Sequence, residues 1–364
     1  MNLEAVRAEL PVLDRVAYLN TGSMGPLPRR TGAVMETLLR RDVEQGRSGS
    51  AYYEELISLR AGLRGALARI LGTSEDAIAL TTSTTEGCNI VLTGLGIGPG
   101  DEVVTTDSEH PGLFGGLKAS GATVRIAAIR DRPAGEALEA LERETTGRTR
   151  LFALSHVSWL TGAVLPIERL ARRGIPVLVD GAQAAGAIPV DVTELGCDFY
   201  TVSAQKWLLG PDATGGLYVH PDRVEELRMT FPSYMSWEHP DYVPQRGAAR
   251  FDPGWIPVPS LAGLLESVAF AEEAGDERFE RACAMASRCR ELLSRHVEVV
   301  TEPGQATLVT WRAANEEAEA VRDRLAANGV VVRDLPGLGW LRASCGFWTS
   351  ESELERLAAG LTAA

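Results

Sequence analysis

Between about residues 75 and 220 the chain alternates short apolar runs with amphipathic stretches, and few folds accommodate that rhythm. Seven runs read as strands: 77–81, 102–106, 123–127, 150–155, 176–180, 199–203 and 215–219. Helical stretches such as 135–144 and 167–173 lie between several of them. Strand–helix–strand repetition predicts a mostly parallel sheet with helices on its faces. Ligands of such sheets sit at the carboxyl ends of the strands. Most of the polar motifs described below fall there.

A Pro- and Gly-rich stretch, 251–259, interrupts the pattern. Long helical patterns follow at 261–273 and 277–295, then strands near 297–300 and 307–311. A helix near 316–327, strands near 330–333 and 340–343, and a helix at 351–361 complete the chain. The expected fold is α/β: a mostly parallel seven-stranded sheet flanked by helices, with a smaller C-terminal α+β domain. The expected division places 16–254 in the large domain and 1–15 plus 255–364 in the small one. A length of 364 residues suffices for both around a large core.

Net charge is -13, which repels phosphate backbones and excludes nucleic acid as an expected partner. The five cysteines, Cys88, Cys197, Cys283, Cys289 and Cys345, form no C-x-x-C pair, which argues against a disulfide framework or a zinc site. No apolar run approaches the roughly 18 residues of a membrane span. The first ten residues carry Glu4, Arg7 and Glu9 and no apolar leader pattern, so a cytoplasmic location is expected.

The chemistry concentrates at two strand ends. The apolar run 175–179 ends on Asp180, followed by Gly181-Ala182-Gln183. The next run passes through Ser203-Ala204-Gln205 to Lys206. A lysine amine can form an imine with an aldehyde, and a buried carboxylate can keep a ring nitrogen protonated. Pyridoxal 5'-phosphate (PLP) needs both. Upstream, Thr81-Thr82-Ser83-Thr84-Thr85 leaves a strand and enters a helix, where hydroxyls and free N–H groups make a phosphate seat. No Walker lysine follows, which excludes a P-loop. His110, just past another strand, offers an imidazole that could stack on a flat cofactor.

The order of these parts resembles the fold-type I, class V aminotransferase group of PLP enzymes. That group contains cysteine desulfurases, cysteine/cystine C–S lyases, kynureninases and isopenicillin-epimerase-like enzymes. The resemblance runs from Tyr18-Leu19-Asn20-Thr21-Gly22 through Thr84-Thr85-Glu86-Gly87, Ser108-Glu109-His110-Pro111-Gly112 and Ser155-His156-Val157-Ser158-Trp159 to Leu341-Arg342-Ala343-Ser344. Within the group it is most similar to the cysteine/cystine C–S lyases. It implies that Lys206 holds the cofactor aldehyde and Asp180 pairs with the pyridinium nitrogen. It also implies that Gln183 lies by the phenolic oxygen, that Thr84, Thr85 and Ser203 hold the phosphate, and that His110 stacks on the ring. Arg342 would clamp the substrate carboxylate, with Asn20 and Trp255 nearby. A guanidinium fork suits a carboxylate independently of any resemblance. A homodimer is implied, C2 pairing being the commonest closed symmetry.

Two positions depart from the group. Gln205 stands where most members have histidine; it can donate to a phosphate oxygen but cannot titrate. Trp255 stands where a threonine usually reaches the partner subunit's phosphate. Either that contact is lost or the indole walls the neighbouring site. Residues 333–341 carry no cysteine, whereas a desulfurase needs a nucleophilic one shortly before the carboxylate-binding arginine. Elimination of a β-sulfur group is therefore expected ahead of persulfide transfer, with Cys345 a core residue. Transamination, epimerisation and decarboxylation share the same start and stay open, as does PLP binding without turnover. Trp159, Tyr234, Trp237, Tyr242, Trp255 and Trp348 lie near expected site loops and would suit a bulky S-substituent.

Overall fold

The computed structural model describes residues 1–314 and 316–362. All seven anticipated strands form one sheet: β1 (Ile78–Thr81), β2 (Glu102–Thr106), β3 (Thr123–Ala127), β4 (Thr149–Ser155), β5 (Val177–Asp180), β6 (Phe199–Ser203) and β7 (Gly215–Val219). Their order is β1-β7-β6-β5-β4-β2-β3. β7 runs antiparallel to both neighbours, and the other pairs are parallel. Strands β1, β2, β5, β6 and β7 are buried along their length. Continuous apolar runs such as Val177-Leu178-Val179 require this, because helices cover both faces of the sheet.

The helix Ser50–Leu71 turns Leu56, Leu63, Leu67 and Leu71 to the core at helical spacing. It stops at Gly72, whose left-handed φ of 65° lets the N–H cap the carbonyls of Ala68 and Arg69. The helix Val258–Glu273 packs against it and against Arg29–Gln45. Leu261, Leu264 and Val268 join Val179 and Tyr200 in one apolar cluster.

The C-terminal unit is an antiparallel sheet, β8 (Leu308–Arg312), β10 (Trp340–Ser344) and β9 (Arg333–Leu335), with β10 central. Helices Glu277–Leu293, Ala318–Ala327 and Glu351–Thr362 contribute Leu293, Leu325 and Leu357 to its core. Packing crosses the expected domain division at both seams. Ala17–Tyr18 pairs in parallel with Val330–Val331, and Ala17 and Leu19 join the C-terminal core. The Val258–Glu273 helix belongs instead to the core of the large sheet. The expected strand 297–300 is reduced to an isolated bridge between Val299 and Trp311. The expected strand 330–333 divides because its first half pairs with the N-terminal segment and its second half with β10.

Asp252 ties the Phe251–Pro253 turn to the sheet. It is fully buried, accepts from the Leu80 N–H at 2.8 Å, and pairs with Arg60 and Arg64. Replacing Asp252 with alanine leaves two largely buried guanidinium groups without their anion, and should cost about 3–5 kcal/mol. Urea unfolding measures this; a loss below about 1 kcal/mol would contradict the assignment.

Candidate active site

A cavity of about 300 Å³ opens over the carboxyl ends of the parallel strands. Its walls bring together Lys206, Gln205, Ser203, Gln183, Thr84, Thr85, His110 and Arg342, eight of the residues singled out in the sequence. A larger cleft of about 520 Å³ lies at Tyr53, Arg64, Tyr234 and Trp237 and contains none of them.

Lys206 follows the end of β6. The N-terminal segment crosses it closely: the Gly25 N–H donates to the Gln205 carbonyl at 2.7 Å, and a Cβ on Gly25 would lie 2.1 Å from the Lys206 carbonyl oxygen. Only glycine permits that approach. Burial pulls the Lys206 amine down to about 8; Asp180 opposes the shift, and Arg342 and Arg333 add to it. About a tenth is therefore unprotonated at pH 7, far more than of an ordinary lysine. Asp180 ends β5 in a buried position, and its Oδ1 accepts from the Ala182 N–H at 2.9 Å. Burial raises its carboxyl above the ordinary aspartate value, with the Lys206 charge pulling the other way.

The helix Thr84–Gly94 starts where β1 ends. Ser83 caps it by accepting from the Glu86 N–H at 3.2 Å. The Thr84 N–H donates to Ser203 Oγ at 3.1 Å, and Ser203 Oγ donates to Thr84 Oγ1 at 3.3 Å. A helix N-terminus ringed by hydroxyls from two strand ends is an anion seat. His110 caps the helix Pro111–Ala119, its Nδ1 accepting from the Gly112 N–H at 3.1 Å. Burial, and then the Lys206 charge, pull the imidazole down to about 4, so it is neutral. Gln183 donates Nε2 to the Gly22 carbonyl at 2.8 Å and accepts from Trp207 Nε1 at 2.9 Å.

Arg342, from the centre of β10, is 1% exposed. Its Nη1 donates to the Trp159 carbonyl at 2.7 Å. Burial pulls the guanidinium down to about 9, with the Arg333 charge adding to the shift, as befits a buried cation with no counter-ion among the described residues.

Two expected residues do not line this cavity within one chain. Trp255 is 42% exposed and stacks with Tyr52 at 6.5 Å, because the Asp252 anchor holds its turn against the Ser50–Leu71 helix. Asn20 bridges Ser344 through its backbone, and its side chain accepts from Ser23 Oγ at 2.7 Å. Of the six expected aromatic residues, Trp159 lines the cavity, Trp348 is core, and Tyr234 and Trp237 line the other cleft.

Sequence reasoning missed Arg333 and Glu109. Arg333 lines the cavity and faces Arg342 in the β9–β10 register, a pairing visible only once that hairpin is recognised. The Glu109 carboxyl accepts from Thr106 Oγ1 and from the N–H and Oγ of Ser155 at 2.6–2.9 Å. Desolvation still pushes it up to about 7, helped by the charge of Asp180. Its sole signal in the sequence is adjacency to His110.

Among the described residues, buried polar atoms of the cavity walls have no hydrogen-bond partner: Gln205 Oε1, Trp159 Nε1, and the Nε atoms of Arg333 and Arg342. Unsatisfied buried groups are costly and mark places where a ligand completes the network. Together with the amine, the buried acid and the anion seat, they fit an aldehyde-bearing, phosphorylated heterocycle.

Residues 18–357 match the family described as Aminotransferase class-V. The chain belongs to the class-V aminotransferase family. It is accordingly a fold-type I PLP enzyme, with a site suited to that cofactor. The isopenicillin N epimerase of Streptomyces clavuligerus is 31% identical to this family member, over 99% of this chain and 98% of its own. A probable cysteine desulfurase of Halalkalibacterium halodurans is 28% identical over 99% and 97%. The solved complex of the cystine C–S lyase C-DES with its reaction product cysteine persulfide is 31% identical. It covers 97% of this chain and 98% of its own, with a TM-score of 0.91.

Proposed function

We propose that this enzyme cleaves the C–S bond of cysteine, cystine or an S-substituted cysteine by β-elimination. With one water consumed, the products are pyruvate, ammonia and a thiol or persulfide. One observation carries the choice of branch: two guanidinium groups line the cavity and no cysteine does. Cys88, Cys197, Cys289 and Cys345 are buried, and Cys283 lies on the C-terminal Glu277–Leu293 helix. No thiol is available to receive sulfur, so the sulfur leaves with its own substituent. Likeness to a cystine lyase supports the same branch.

PLP supplies the electron sink that makes the substrate Cα–H bond acidic. Lys206, lowered to about 8, takes the α-proton as general base. Asp180 would pair with a ring nitrogen and favour its protonated form, because a buried carboxylate stabilises an adjacent cation. Thr84, Ser203 and the helix N-terminus would hold the phosphate. Arg342 orients the α-carboxylate; the Trp159 carbonyl fixes its Nη1, and its Nε has no partner among the described residues. Arg333 presents a second cation to the distal anionic group of a substrate such as cystine.

The competing reading is epimerisation, supported by the likeness to an epimerase. It differs from elimination in returning a proton to Cα in place of releasing the β-substituent, so α-deuterium exchange without net product distinguishes it. A homodimer is also proposed. Tyr53, Ile57, Tyr234 and Trp255 are all more than 40% exposed around one cleft, an apolar patch that suits a second copy. No described helix is long and apolar enough to cross a membrane.

Pyruvate, sulfide, keto acid and α-deuterium exchange, followed with cysteine, cystine and S-aryl cysteines, test the branch. Pyruvate release in step with thiol or persulfide is expected. Exchange without net product would assign epimerisation instead. Arg333→Ala should lower kcat/KM for cystine about 10–100-fold and change that for cysteine little, since a charge-assisted hydrogen bond contributes about 1.5–3 kcal/mol.

A further inference from the structure

Glu109 is a desolvated acid to which the proposed reaction gives no task. It sits on the loop between β2 and the Pro111–Ala119 helix, directly before His110. Both of its carboxyl oxygens act as acceptors. One accepts from Thr106 Oγ1, at the tip of β2, at 2.6 Å. The other accepts from the N–H and Oγ of Ser155, at the tip of β4, at 2.9 and 2.6 Å. Hydroxyl contacts that short match an ionised acceptor, whose O–H···O⁻ bonds run about 2.5–2.7 Å. Ser155 in turn stands beside Asp180 in the β4–β5 register. One carboxylate therefore ties the His110 loop to two strand tips, and through the second of them to the acid at the site.

The loop is also held on either side of this strap. Asp107 Oδ1 accepts from the Ile129 and Arg130 N–H groups just past β3, at 2.9 and 3.0 Å. Gly112 approaches the anion seat so closely that a Cβ there would lie 2.3 Å from Thr85 Oγ1. Between these anchors the imidazole accepts from the Gly112 N–H at 3.1 Å and meets the Trp159 ring edge-on, with centroids 5.3 Å apart. Those contacts orient the ring, and the Glu109 bonds beside it fix its height above the strand tips. Height matters for an imidazole that covers a flat ring, because a gap of about 0.5–1 Å forfeits a quarter to a half of the contact. Burial opposes the Glu109 charge, and three donors converging on one carboxylate offset that cost.

We propose that Glu109 is a positioning residue whose carboxylate straps the His110 loop to the tips of β2 and β4, holding the imidazole at the height a stacked cofactor ring requires. This rests on the reading of the cavity as a PLP site. Glu109 touches neither substrate nor cofactor and acts through His110. Without the strap the imidazole is free to turn out to water, away from the Lys206, Arg333 and Arg342 charges. Burial and those three charges are what hold its pKa near 4.

The test uses holoenzyme labelled with 15N in the rings of its five histidines. The signal missing from His110→Asn identifies His110. In the wild type that signal should stay neutral down to about pH 5. In Glu109→Ala its midpoint should rise toward the 6.5 of an ordinary imidazole. Glu109→Gln keeps the length and one acceptor oxygen, so its rise should be smaller. Glu109→Ala should also hold PLP about 2–10-fold more weakly, the contribution of one stacked aromatic contact, and show a weaker visible circular dichroism band. Should Glu109→Ala not fold, Ser155→Ala and Thr106→Val remove the hydroxyls of the strap from the other side and should move the same signal the same way. A His110 midpoint unmoved in every folded variant, while the wild type shows its visible PLP band, overturns the proposal and leaves the cofactor site standing. A wild type that takes up no PLP overturns both.

Discussion

Replacing Lys206 with alanine is expected to lower turnover by about 10⁴-fold or more. General-base catalysis alone contributes about 10²–10⁴-fold, and the covalent hold on the cofactor is lost with the same atom. The purified variant should also lack the visible band of the wild type. A second, quantitative expectation follows from the surroundings of the amine. Capture of PLP by the apoprotein requires the unprotonated amine, so its rate should rise with pH and level off above about 8, well below the 10.5 of an ordinary lysine. The sign of each neighbour's contribution is clear. Burial and the charges of Arg342 and Arg333 lower this pKa, and Asp180 raises it. Asp180→Asn should therefore move the midpoint to lower pH. Stopped-flow absorbance measures both. A midpoint near 10.5, or an upward shift in Asp180→Asn, would show that the amine is not in the environment described.

Arg342→Met should reduce kcat/KM for amino-acid substrates about 10²–10³-fold, from the loss of about 3–4 kcal/mol of paired charge-assisted hydrogen bonding. Arg342→Lys should recover only part, since an ammonium cannot present two parallel donors. Stability should move in the opposite direction from activity. The guanidinium is 1% exposed, has an unpartnered Nε, and has Arg333 as its charged neighbour. A buried cation without a counter-ion is a cost to the folded state, and an apolar side chain of similar length removes it. Ligand-free Arg342→Met should therefore melt at or above the wild-type temperature. A variant that lost both activity and several kcal/mol of stability would make Arg342 a structural ion-pair partner rather than a substrate clamp.

Much of the site was readable because its residues sit at strand ends in one repeating context. Asp180, Ser203 and Thr84 each follow an apolar run, and the parallel order of the strands brings those ends together. Arg333 escaped because β9 is three residues long and meets Arg342 only through cross-strand pairing. At Trp255 the chain departs from the pattern it resembles, so the resemblance leaves the indole's place open. The single-chain structure puts it on an exposed aromatic face, where a buried aspartate holds its turn.

What the linear order of residues determined by itself is the seven-stranded sheet and the acid–lysine pair at its edge. Both follow from short-range alternation of apolar and polar residues, which β-α-β connectivity translates directly into position. What only the tertiary structure decided is which charges have partners. Arg342 and Arg60 are both buried arginines in helices or strands, indistinguishable as letters. Arg60 meets Asp252, from 192 residues away. Arg342 meets a carbonyl and another arginine. Pairing depends on long-range packing, and an unpaired buried charge is the physical difference between a structural residue and one awaiting its ligand.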